Sequence, residues 1–153
     1  MNSIYKATIA LALAACASAS YGGVRANHTR TAPNNWVTYS STGALVWLNN
    51  NSDTLISFTL PAAGKKVLNY SALCVVGGPT SGWGDIDIYV NGVVVAPTAG
   101  IEAFCHGGSQ WSRHSIILVM QGQLGLNTVQ IVGRVYNGGT FFSLGKSALV
   151  IHD

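Results

Sequence analysis

From position 37 onward the apolar residues of this chain come in short runs, most of them alternating with polar neighbours at a period of two. Val37–Tyr39, Ala44–Leu48 and Leu55–Leu60 are rich in branched and aromatic residues and are separated by Ser, Asn and Gly, which predicts three strands. Asn49-Asn50-Asn51-Ser52-Asp53 and Pro61–Lys66 are turn clusters. Val67–Val76 is an apolar strand ending at Gly77-Gly78-Pro79. In the segment Ile86–Ala96 the pattern is clearest. Ile86, Ile88 and Val90 share one face, while Asp85, Asp87 and Tyr89 share the other, so one face is expected in the core and the other in water. Asn91-Gly92 suits the two positive backbone angles of a type I′ turn, and Val93–Ala96 returns as the hairpin partner.

Further on, Phe104-Cys105 reads as a short strand, Ser115–Gln121 as a strongly apolar one and Gly122–Leu126 as a turn. Thr128–Tyr136 is the next strand, Asn137-Gly138-Gly139 a tight turn, and Thr140–Leu144 and Ser147–His152 close the domain. No segment past the first twenty or so residues keeps a helical period over about ten residues. Eight to ten short strands with Gly-rich turns, and no internal repeat, predict an all-β fold: an antiparallel β-sandwich, jelly-roll-like, over residues 36–153.

The first 35 residues follow other rules. Lys6 gives a short positive region, and Ala7–Ala15 is apolar but too short to cross a bilayer. Ala17-Ser18-Ala19 then fits a small-x-small cleavage site, so residues 1–19 read as a signal peptide and the mature chain starts at Ser20. Leu13-Ala14-Ala15-Cys16 also resembles a bacterial lipobox. The alternative to a secreted or periplasmic protein is therefore a lipoprotein anchored at Cys16. Residues 20–35, with Gly22-Gly23, Pro33 and Asn34-Asn35, read as a flexible leader.

Composition narrows the classes. Of 153 residues, 48% are hydrophobic and only 8% charged, which excludes both disorder and a coiled coil. The net charge of +3 falls to +2 once Lys6 is removed with the signal, and Lys65-Lys66 is the only basic doublet, placed in a turn. Nucleic acid is not an expected partner. No later stretch is long enough for a transmembrane span. With Cys16 in the export segment, Cys74 and Cys105 remain and are expected to pair as one disulfide. That bridge closes a loop of about 30 residues, worth about 3.5–4 kcal/mol in the chain-entropy model. No CxxC or HxxxH spacing occurs, so neither metal nor cofactor is expected.

Several motifs together carry a resemblance. A strand ending in Cys74 is followed by Trp83-x-Asp85-Ile86-Asp87-Ile88-Tyr89-Val90-Asn91-Gly92, then Ala96-Pro97-Thr98 and Ala103-Phe104-Cys105. This order resembles a group of small exported bacterial β-sandwich proteins of no settled activity. Gly125-x-Asn127-Thr128-Val129-x-Ile131 is similar to a strand start common in jelly-roll carbohydrate-binding modules, and Ser147–Ile151 to their closing strand. The resemblance covers roughly residues 67–152. It implies architecture and export, and transfers no binding residue.

Three constellations bear on chemistry. Asp85 and Asp87 share a strand face with α-carbons about 6.5–7 Å apart; two acids side by side do not flank a scissile bond as glycosidase acids do. Glu102 is a distant third acid, no Asp-x-Asp-x-Asn-Gly calcium loop is present, and a solvated polar face is the simpler reading. His106 and His114, with a serine and an aspartate, lack any Gly-x-Ser-x-Gly context and are read as a loop residue and a strand-entrance residue. Four tryptophans remain. Trp47 sits within an apolar strand and is expected in the core. Trp83, between Gly82 and Gly84, and Trp111, in Gly-Gly-Ser-Gln-Trp-Ser-Arg, sit in loops. Flat indoles there suit sugar rings, with polar neighbours to bind hydroxyls.

These signals favour a non-catalytic exported binding or adhesion module with a glycan or cell-surface ligand. The expected site is Trp83, Asp85, Gln110, Trp111 and Arg113, brought to one end of the sandwich by the cysteine pair. A structural protein that self-associates through its sheets is the alternative, favoured by the low charge, and a hydrolase ranks third.

Overall fold

A computed structural model of the protein describes residues 23–31, 37–39, 42–79, 81–96, 103–108 and 110–153. The expected signal peptide, Cys16, Trp36 and Glu102 lie outside them. Among the described residues there are eleven strands: β1 (Val24–Arg30), β2 (Val37–Tyr39), β3 (Ala44–Leu45), β4 (Leu55–Leu60), β5 (Gly64–Gly77), β6 (Trp83–Val90), β7 (Val93–Ala96), β8 (Cys105–His106), β9 (Ser112–Gly122), β10 (Gly125–Tyr136) and β11 (Phe141–His152). All ladders between them are antiparallel. One sheet has the order β1-β11-β5-β9, with β2 also on β11. The other has the order β3-β10-β6-β7, with β4 also on β10 and β8 also on β6. The long strands β5, β6, β9, β10 and β11 alternate between the two sheets, which is the winding of a jelly roll. The all-β antiparallel sandwich expected from the sequence is therefore the observed fold.

Period-two patterning builds the core between the sheets. Leu68, Tyr70, Ala72, Cys74 and Val76 of β5 face Ile86, Ile88 and Val90 of β6 and Val129, Ile131 and Val135 of β10, all buried. Ile56, Phe58 and Leu60 add the inner face of β4. Gly84 of β6 is required by this packing: a Cβ there would lie 2.2 Å from the ring of Phe142 in the opposite sheet.

The two closing strands expected from the sequence are one strand. The ladder of β11 to β5 shifts register between Gly145 and Ser147, leaving Lys146 as an extra residue. Before it Phe142 and Leu144 are buried, and after it Leu149 and Ile151 are buried. The inward parity changes from even to odd, so the bulge keeps both apolar sets in the core.

The hairpin at Asn91-Gly92 is as expected, with φ of 51° and 79° at its two central residues. Asn91 also reaches across to β10, its Oδ1 accepting from the Thr128 N–H at 2.8 Å and its Nδ2 donating to Asn127 Oδ1 at 3.0 Å. Asn127 is fully buried, and its amide donates to the Gln123 and Gly125 carbonyls. This explains an amide at the start of β10, since it joins the β6–β7 turn to the β9–β10 turn.

Three expectations are corrected here. Val24–Arg30, within the stretch read as a flexible leader, pairs with β11 along its length. Asp153, just past β11, accepts from the side chain of Arg25 in β1, pairs with Lys66 Nζ of β5 at 2.8 Å and accepts from the Gly23 N–H. Lys66 therefore sits in a strand, not the expected turn. The hydrogen bonds from Arg25 and then Lys66 hold the Asp153 carboxyl well below the ordinary carboxylate range, and Arg25 is raised in turn by its bond to Asp153. The third correction is Trp47. Val46 and Leu48 occupy the core, and alternation leaves Trp47 only half-buried.

Candidate functional site

Cys74 and Cys105 form the expected disulfide, with an S–S distance of 2.12 Å and α-carbons 6.3 Å apart. The bridge joins the two sheets, because Cys74 lies in β5 and Cys105 in β8. Register then fixes what lies beside it. Cys105 is opposite Gly84 and His106 opposite Trp83, while Cys74 is opposite Ser112 at the start of β9. The start of β6 and the start of β9, which carry the expected site residues, are thus held at the same end of the sandwich.

Those residues fall into two groups. Gln110, Trp111 and Arg113 are exposed at the entry to β9, with Trp111 at 46% of its full accessibility. Arg113 is paired with Leu73, on the outer side of the first sheet, because Cys74 and its partner Ser112 face inward. Trp83 and Asp85 lie on the outer side of the second sheet, since Gly84 between them faces Phe142. The Trp83 ring is half-buried and tilted against Tyr136 of β10, with centroids 6.1 Å apart. Its Nε1 is buried without an acceptor.

The expected solvated aspartate face is a buried one: Asp85 is 2% and Asp87 4% exposed. Their strand is central, with β10 on one side and β7 and β8 on the other. Arg134 of β10 is opposite Asp85 and reaches diagonally to pair with Asp87 Oδ2. The Arg134 side chain also packs against Gly43, where a Cβ would lie 2.7 Å from its Nε. Asp85 Oδ1 accepts from the Ile86 N–H at 2.8 Å, and Asp87 Oδ1 is buried with no partner. Arg134 and Tyr136 escaped the sequence reading. They alternate on β10 opposite Asp85 and Trp83, but only the β6–β10 register, which joins residues about fifty apart, brings them there.

Ser112 and His114 occupy alternate inward positions of β9, and Ser112 Oγ lies 2.8 Å from His114 Nε2. A ring nitrogen of His114 and the two disulfide sulfurs lie within 4.8 Å of one another. Sulfurs bonded to each other do not serve as thiolate ligands. Asp85 and Asp87 lie on the outer side of the opposite sheet, so neither orients this histidine as the third member of a triad does.

Fold and bridge together define a disulfide-tied, two-sheet antiparallel β-sandwich that carries an exposed indole at its tied end. No protein-family model matches the chain, and no curated protein matches it in sequence. Among solved structures it is similar to a family 35 carbohydrate-binding module from an environmental isolate, with a TM-score of 0.48 and 15% identity over 86% of this chain and 88% of that one. A family 35 module from Clostridium thermocellum aligns with a TM-score of 0.36 and 16% identity over 82% of this chain and 97% of its own. An exo-beta-1,3-galactanase from Phanerochaete chrysosporium aligns with a TM-score of 0.31 and 15% identity, over 85% of this chain but 29% of that enzyme.

Proposed function

We propose that the protein is a non-catalytic binding module, exported from the cytoplasm, that takes a glycan at the disulfide-tied end of the sandwich. The observation that carries this reading is the Trp111 indole, nearly half exposed between Gln110 and Arg113. It stands one residue before a strand whose first position is paired with Cys74. A sugar ring lays its C–H face on such a platform while an amide and a guanidinium bind its hydroxyls. Seating the platform on a strand held across the sheets lowers the ordering cost of binding.

Trp83 and Tyr136 form a second aromatic surface at the same end. Asp85 supports the start of β6 from within and does not itself meet the ligand. The bridge suits an oxidising compartment, as does the export signal in residues 1–19 with cleavage before Ser20. The test is a glycan-array screen with the fluorescently labelled protein. Binding confined to a structurally related subset of glycans supports the reading, and an array on which no glycan is bound removes it.

A further inference from the structure

Three of the four sheet edges are broken into short pieces. β1 and β2 share one side of β11, β3 and β4 one side of β10, and β7 and β8 one side of β6. The β1 and β7 ladders carry register shifts, and β1 carries the Arg25–Asp153 ion pair. Short strands, bulges and charges are the devices that keep an edge from pairing with another chain.

β9 has none of them in its central part. It runs unbroken from Ser112 to Gly122, its ladder to β5 has no shift, and among the described residues no strand lies on its other side. Its centre, Ser115-Ile116-Ile117-Leu118-Val119, holds no charge, Pro or Gly. Ile117 is 66% and Val119 63% exposed on the outer face, and Ile116 and Leu118 are only partly buried on the inner one. A solitary domain has no use for four consecutive apolar side chains along an open edge.

We propose that β9 is a homodimer interface, in which two copies pair their β9 strands antiparallel about a two-fold axis at Ile117 and fuse their first sheets into one. The strand itself names a second copy as the occupant. Ile117 is the midpoint of Ser112–Gly122, so the full-length register is self-complementary. Ile117 meets the partner's Ile117, Ile116 meets the partner's Leu118 and Ser115 meets the partner's Val119. Arg113 meets the partner's Gln121, so no two cations face each other. The Ile117 pair and the two Ile116–Leu118 pairs close at the axis, and the row of backbone groups along an edge of about 37 Å at 3.4 Å per residue is satisfied. An isologous contact consumes the edge, and the remaining short or bulged edges offer no second site, so the assembly stops at two.

The experiment is light scattering of the full chain over a concentration series, for the wild type and Ile117→Lys, with a cross-linking test of Ile117→Cys. The wild type is expected at twice the mass of one chain. Ile117→Lys, which sets two ammonium groups on the axis, is expected at half the wild-type mass and still folded, with a melting temperature that no longer rises with concentration as that of the dimer does. Oxidised Ile117→Cys is expected as a covalent dimer on a non-reducing gel, whereas Val93→Cys, exposed on the β7 edge, is not. A single-chain mass at every concentration overturns the proposal. So does a dimer that Ile117→Lys leaves intact, an open-ended series of larger species, or equal cross-linking at both cysteine positions.

Discussion

Tyr70 shows how far one side chain can depart from what its residue type suggests. It is fully buried in the core face of β5 beside Ser147, and the two hydroxyls face each other without a hydrogen bond of good geometry. Burial pushes the phenol up to about 12, with Ser147 and Arg30 working against the shift. The folded state therefore keeps a proton that the unfolded chain gives up above its ordinary value of 10.0. This contribution is complete below pH 10 and is lost as the pH rises toward about 12, up to about 3 kcal/mol for two pH units. Tyr70→Phe removes the titration and an unpaired hydroxyl together. Its unfolding free energy from urea titration at pH 7 is expected within about 1 kcal/mol of the wild type or above it, with a flatter decline between pH 10 and 12. A variant whose alkaline decline parallels the wild type would place the titrating group elsewhere. Asp85 and Asp87 teach the converse: alternation puts them on the outer face, yet both are buried there, with Arg134 of β10 paired to Asp87, which no local pattern announces.

At the scale of elements, legibility follows the range of the interactions involved. The strand Leu55–Leu60 and the Asn91-Gly92 hairpin are written locally, in alternation and in turn residues with positive φ, and both stand where the sequence puts them. The β11 bulge is not written locally. Leu144 and Leu149 differ in parity, which in a regular strand means opposite faces, so two strands were the economical reading. One extra residue, Lys146, restores a single strand. β1 was missed for a related reason. Val24–Arg30 carries two arginines and a histidine and little apolar patterning; its order comes from pairing with β11 and from Asp153 between Arg25 and Lys66. Because the Asp153 carboxyl is held low, this tie is present above the ordinary carboxylate pKa and is lost as pH falls through the lowered folded value. Asp153→Asn is expected to speed hydrogen exchange of β1 amides at neutral pH while leaving β5 and β10 protected. Equal protection of β1 in variant and wild type would show that the ladder alone holds the strand.

For the whole molecule, the disulfide is the feature of the sequence that ties the proposed site residues to one end of the sandwich. Two cysteines left beyond an export segment predict a bridge, and the bridge holds the starts of β6 and β9 at one end. What the spacing of cysteines did not contain is the side of each sheet on which the tryptophans stand. Arg113 lies on the outer side of one sheet and Trp83 on that of the other, and only ladder parity decides this. Trp111 with its polar flanks is consequently the proposed platform, and Trp83 belongs to an adjoining surface. Affinity electrophoresis tests that account most directly, comparing the wild type with Trp111→Ala in gels containing a glycan bound on the array. The wild type is expected to be retarded, and Trp111→Ala to migrate as in a glycan-free gel while keeping the wild-type melting temperature. A Trp111→Ala protein that is retarded like the wild type, or one that loses binding only because it is destabilised by the about 3–5 kcal/mol of a core truncation, would contradict it.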